Sequence, residues 1–357
     1  MGAGDRRAAV EQHQEEPSIT MDVLAEVARA LLYEGYILWP YRRSALKNRQ
    51  RWTFGGVYPP AFSAASSGVD RSRVTAQCLV EASEHSRLDV TLRFLHVVSR
   101  QALQGKAGEW RAVDHVTVDD STVLSWDEAA ERELAMSLPL SAVGGMSRAP
   151  IVVEPGMSRE ELRAADGTIA GAIERRWESL RGEITVAVEP RGRELPLRVT
   201  VCITNSSPFD SLGREEAIRR TFVSAHAALH VNNGAFVSML EPPVAFAAEV
   251  AACRQVGLWP VLLGEEGSRD TMLASPIILY DYPRIAPESP GDFFDGGEID
   301  QLLILNTLSM TDDEKREMYG TDPKVRQILE RCAAMSPDAL SGLHGAIRSF
   351  RPVDRAE

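Results

Sequence analysis

Aromatic residues make up only 6% of this 357-residue chain, and cysteine occurs four times. Cys78, Cys202, Cys253 and Cys332 stand far apart with no CxxC pair, so free thiols in a reducing compartment are expected. No window reaches 18 uninterrupted apolar residues, and no membrane-spanning helix is predicted. The first twenty residues, "MGAGDRRAAVEQHQEEPSIT", have no apolar stretch of the kind a signal peptide or anchor needs. A cytoplasmic protein is therefore expected. Positive charge is also short. The formal net charge of −12 argues against a surface that binds nucleic acid or anionic membrane non-specifically. Glycine loops of the phosphate- or dinucleotide-binding kind are missing, since "SAVGGMS" has the glycines without the lysine. There is no GxSxG nucleophile elbow. No cofactor is predicted.

What is present is an ordinary globular balance, 44% hydrophobic and 25% charged, enough for one large domain or two smaller ones. Residues 1–18 read as a disordered tail, and 19–72 as a helix followed by an aromatic and basic arm. The helix rests on "MDVLAEVARALLYEG", where Val23, Leu24, Val27, Leu31 and Leu32 share a face and Gly35 supplies a stop. From residue 73 the apolar period becomes two. "RLDVTLRFLHVV" alternates Leu88, Val90, Leu92 and Phe94 with polar neighbours, and "EITVAVE" and "PLRVTVCIT" repeat the pattern. Weaker strands are expected at 74–81, 111–118, 130–140 and 168–178. Residues 73–204 thus read as an antiparallel, sandwich-like β unit.

Residues 205–357 read as a mixed α+β part packed on that unit. Asn232-Asn233-Gly234 predicts a hairpin across 222–241, because Asn and Gly tolerate positive φ. "VAFAAEVAACRQ" predicts an apolar helix closed by Gly257, and 259–265 and 275–283 read as short apolar strands. Thr311 with Glu314 forms a capping box, and Asp322-Pro323 and Ser336-Pro337 each start a helix. The fold class is α+β with a helical C-terminal part.

His226 and His230 have the HxxxH spacing of a helical metal site. On the strand predicted here they would lie about 13 Å apart, too far to share an ion, and no metal site is assigned. His96 follows Leu88, Val90, Leu92 and Phe94 in register and is expected to face the core. The densest acidic run, "YDYPRIAPESPGDFFDGGEID", carries Asp281, Glu288, Asp292 and Asp295. Carboxylates on such a loop can hold a hard divalent cation, but the spacing is not that of an EF-hand, and a solvated or partner-facing loop fits as well.

The densest basic and aromatic run is "LLYEGYILWPYRRSALKNRQRWTFGGVYPP", residues 31–60. Seven rings flank Arg42, Arg43, Lys47, Arg49 and Arg51. Three readings compete. The segment is an ordered, largely extended arm packed on the protein's own body, a protein-contact site led by Tyr41, Trp52 and those cations, or a nucleic-acid site. The acidity of the whole disfavours the last.

This stretch, together with "GAFVSMLEPP" and the run "WPVLLGEEGSRDTMLASPIILYDYPRIAPESPGDFFDGGEIDQLLILNTLSMTDDEKREM", resembles a family of bacterial proteins encoded beside the structural and maturation genes of nickel–iron hydrogenases. The resemblance covers most of residues 22–350. It implies a part in making or running a hydrogenase, through contacts with a hydrogenase subunit or maturation protein. It carries no catalytic residues. The chain lacks the CxxC thiols of a metallochaperone, so nickel delivery is disfavoured. The expected function is a non-catalytic accessory protein. The alternative is an enzyme, with metal dependence one option, built on the acidic loop 281–300 with Glu265 and Glu266.

Overall fold

The computed structural model describes residues 27–49, 51–52, 54–106, 109–119, 121–141, 145–192, 195–211, 213–284, 294 and 300–335. It is organised around one strand, β1 (Arg73–Lys106), 34 residues long. At about 3.3 Å per residue such a strand would extend roughly 110 Å if straight. It is not straight. Register shifts between Ala82 and Arg87 and between Arg93 and Leu95 bend it, as bulges do. The runs 74–81 and 87–98, expected as separate strands, are therefore two stretches of one strand.

The strands that follow are β2 (Glu109–Val113), β3 (His115–Val118), β4 (Ser121–Leu124), β5 (Trp126–Pro139), β6 (Met146–Val153), β7 (Gly156–Arg163), β8 (Ile169–Trp177), β9 (Leu180–Glu189), β10 (Leu197–Asn205), β11 (Val223–Phe236), β12 (Trp259–Leu262) and β13 (Thr271–Ser275). Every pairing among them is antiparallel. The main sheet runs β12-β13-β11-β1-β10-β9-β6, with β5, β8 and β2 also on β1 and β7 on β8. The fold is α+β with an antiparallel, sandwich-like centre.

The residues Val90, Leu92 and Phe94 of β1 meet Val186 of β9, Val201 of β10 and Leu229 of β11 in one buried cluster. β11 to β13 lie in the same sheet as β1, so the 204/205 boundary of the sequence reading falls between strands of a single sheet. From Phe94 to Val98 β1 is buried on both faces, with Leu95 and Val97 turned into a second core. Helical residues 27–33 (α1) and the helices α2 (Pro60–Ala65), α3 (Arg214–Ile218), α4 (Ala247–Ala251), α5 (Asp300–Leu308), α6 (Asp312–Thr321) and α7 (Pro323–Ala334) accompany the strands among the described residues. Met318 of α6 and Ile328 of α7 close the second core. The Thr311–Glu314 capping box forms, and Asp322 caps α7 by accepting from Lys324 N–H. Among the described residues no helix is long and apolar enough to cross a membrane.

Several expectations are corrected. Asn232-Asn233-Gly234 does not turn a hairpin, because β11 continues through it to Phe236. A type I′ turn needs positive φ at both central residues, and only Asn233 has it, at +57°. The segment instead follows the kink in β1, where the Ser86 hydroxyl donates to the Asn233 carbonyl. The strand expected at 275–283 lies earlier, at β13. Pro276 follows its last residue, and the Ser275 hydroxyl turns back to the Ile277 carbonyl at 2.8 Å. β6 and β7 were not anticipated. Pro150 and the charged run "SREELR" mask their period, as is common for strands at sheet margins. The helix expected after Ser336-Pro337 lies outside the described residues, as does the tail 1–18.

Candidate functional site

The aromatic and basic segment is a closed loop, not an extended arm. Gly35 ends α1 with φ +72°, its N–H donates to the Phe294 carbonyl, and its own carbonyl accepts from Trp52 N–H at 3.4 Å. Asn48 draws the chain together between those ends. Its side-chain oxygen accepts Leu38 N–H at 2.8 Å, and its amide donates to the carbonyls of Leu38 and Arg42 at 2.8 and 3.1 Å. One buried amide thus satisfies backbone groups that an extended segment would leave to a sheet or to water, and the result is an Ω-like loop.

The sequence-predicted residues of this loop divide by depth. Tyr41 and Trp52 are buried in the second core. Arg51 is buried too, its guanidinium 3.6 Å from the Trp126 ring centre and 4.1 Å from that of Trp52. It donates to the carbonyls of Asp127 at 2.6 Å and Tyr36 at 3.4 Å. Burial pulls its pKa down to about 10, against the pull of Tyr36, Asp127 and Asp322, so it remains a cation at neutral pH. Tyr36 donates to Asp322 at 2.7 Å and Tyr33 to Glu131 at 2.6 Å, and burial raises the pKa of both phenols. Arg42 pairs with Glu314 at 3.1 Å, Arg43 with Asp114 at 3.5 Å, and Lys47 is exposed. The side chain of Arg49 lies outside the described residues.

His226 and His230 sit on β11. His226 is fully buried with Nδ1 2.9 Å from the Ser224 carbonyl, and burial pushes its pKa down to about 4. His230 is exposed, its Nδ1 3.2 Å from the Thr271 hydroxyl. Among the described residues no group of three or more His, Cys, Asp or Glu is placed to hold a metal ion.

Of the four carboxylates singled out in the acidic run, Asp281 is described, and Glu288, Asp292 and Asp295 lie outside the described residues. Its carboxylate is already engaged. One oxygen accepts Leu262 N–H at 2.7 Å and the other accepts the Ser238 hydroxyl, while Tyr282 N–H donates to the Leu262 carbonyl at 2.8 Å. β12 is the terminal strand of the sheet order, and its outward-facing positions are Pro260, which has no N–H, and Leu262. Asp281 and Tyr282 thereby occupy the groups with which another strand would pair.

Around this latch lies a cleft of about 620 Å³, lined by Leu240, Glu241, Pro243, Glu266, Tyr280 and Arg284 beside Asp281. Leu240 is 50% exposed and Tyr280 64%, and nearby in the chain Ile278 is 69% and Val244 94% exposed. The apolar segment 244–255 forms a single turn, Val244–Phe246, and α4. Its small residues lie outermost. Val244, Ala245, Ala247, Ala248, Ala251 and Ala252 face solvent, while Phe246 and Val250 are half-buried and Glu249, also half-buried, pairs with Arg191 at 2.9 Å and with the buried Arg198 at 3.7 Å. The ion pairs of Glu249 hold the element while its alanines and Val244 are left exposed. A helix apolar all round ordinarily reads as buried, so composition concealed this surface. The combination of Pro242-Pro243 before it and Gly257 after it was the available signal, since so short an element cannot reach far into a core. No protein-family model matches the chain, and no curated protein matches it either.

Proposed function

We propose that this is a non-catalytic accessory protein that works by docking on another protein through the surface formed by 238–252 and 278–284. The observation that carries the reading is the exposure of Val244 and the alanines of the Val244–Ala251 segment together with the exposed Leu240 and Tyr280. Exposed apolar side chains gathered in this way form the kind of patch that marks protein contact sites. Two of the stretches that resemble the hydrogenase-linked bacterial family, "GAFVSMLEPP" and "WPVLLGEEGSRDTMLASPIILYDYP", meet in this cleft. A nickel–iron hydrogenase subunit or maturation protein, in the cytoplasm, is therefore the partner to test first. Asp281, committed to the sheet margin, supports a structural role for the described end of the acidic run over the enzymatic alternative.

Val244→Asp and Tyr280→Ala should each reduce host hydrogenase activity and the amount of hydrogenase protein co-purifying with the tagged chain, with the melting temperature unchanged. An anchor residue is worth about 2 kcal/mol or more, roughly thirtyfold in Kd. Unchanged activity and co-purification in both variants defeats the proposal.

A further inference from the structure

We infer that the cleft beside Asp281 receives a basic, apolar segment of its protein partner, an inference that rests on the docking reading above. The charges around it are unbalanced. Four carboxylates, those of Glu241, Glu266, Asp281 and Glu81, stand against two guanidiniums, Arg269 and Arg284, and Arg269 is already paired with Glu81. Asp281 is held by Leu262 N–H and Ser238. Glu241 and Glu266 are exposed, and among the described residues neither enters an ion pair. They are the acceptors that remain for an incoming cation.

The exposed Tyr280 ring, Leu240 and Pro243 line the same cleft. A guanidinium suits this site better than an ammonium. Its planar face can stack on Tyr280 while its fork donates to Glu241 or Glu266, and its weaker hydration lowers the cost of leaving water. The apolar neighbour of that arginine would lie on Leu240, Pro243 and Val244. The net charge of −12 also steers a basic segment toward the protein and repels an acidic one.

Two fluorescein-labelled twelve-residue peptides test this by anisotropy, one alternating Leu and Arg, the other Leu and Glu. The protein is compared with Glu241→Lys/Glu266→Lys and with a remote reversal of equal charge, Glu109→Lys/Glu161→Lys, at exposed positions of β2 and β7. The Leu/Arg peptide should bind the unaltered protein and the remote variant within about twofold of each other, lose about tenfold or more on the cleft variant, and weaken with added salt. The Leu/Glu peptide should not bind the unaltered protein. Equal losses in the two reversals would reduce the effect to the field of the whole molecule, and equal binding of both peptides would remove the charge preference. Either outcome overturns the inference. If Val244→Asp still abolishes co-purification of the hydrogenase protein in those cases, the docking reading stands without it. If Val244→Asp and Tyr280→Ala also have no effect, both fall.

Discussion

Arg51 shows how one side chain can be densest in interactions and yet turned away from any partner. Its guanidinium lies between two indoles, and its donors are spent on carbonyls of the same chain. Removing it would leave those carbonyls without donors and a gap between Trp52 and Trp126. Arg51→Ala should therefore cost about 2–4 kcal/mol of unfolding free energy, read by urea denaturation. Arg51→Lys should recover little, because an ammonium cannot stack and fork at once. Arg43, at the surface with a 38% exposed side chain against Asp114, should cost well under about 1 kcal/mol when replaced by Ala. Equal losses at the two positions would contradict this division. The identities of these residues were legible in the sequence, which marks the cluster plainly. Their depth was not, because rings and arginines are what both an interface and a buried loop use, and Asn48, the residue that closes the loop, carries no composition signal.

At the scale of elements, the margin of the sheet is where a single substitution should have the most visible effect. Asp281 and Tyr282 cover the outward groups of Leu262, and Pro260 supplies no donor. Asp281→Ala should expose Leu262 N–H at an otherwise apolar terminal strand and promote strand-to-strand association. Light scattering and sedimentation velocity at rising protein concentration should show larger species that Asp281→Asn, whose side-chain oxygen can still accept, largely avoids. A variant that stays as monodisperse as the unaltered protein would argue that this latch is dispensable. Strands with clean alternation, such as β9 and β10, were readable because one face of each meets the core. β6 and β7 were not, since a margin strand is free to carry Pro150 and four charged residues. The positive-φ signal at Asn233 was real, but a bulge and a hairpin draw on the same backbone conformation. Only the partner strand decides between them.

The whole molecule stores a dependence on pH in two histidines buried in the neutral form. Burial lowers both His96 and His226 from an ordinary value near 6.5 to about 4, and the neighbouring Arg132 adds to the effect at His96. The unfolded chain therefore takes up these protons first as pH falls. Stability is fully present above about 6.5 and is lost progressively down to about 4, at up to roughly 1.4 kcal/mol per pH unit for each histidine. Between pH 6.5 and 5 the midpoint of urea unfolding should drop, and His226→Gln should remove about half of that slope while lowering the plateau. A midpoint flat across this window would mean that the histidines are solvated in the folded state.

The length of β1 bears on when the protein can fold during synthesis. Arg87–Leu95 finds one neighbour in β5, made within the next fifty or so residues, but the other only in β11. At roughly 5–20 residues per second, the ribosome needs on the order of ten to thirty seconds to reach Phe236 after Arg87 has been added. Throughout that interval the middle of the longest strand has an open side, and the β12 latch that protects the finished sheet has yet to be translated. The nascent chain is thus most vulnerable at its own centre, and a ribosome-bound chaperone that shields residues 80–95 should raise the yield of folded protein more than one that acts after release.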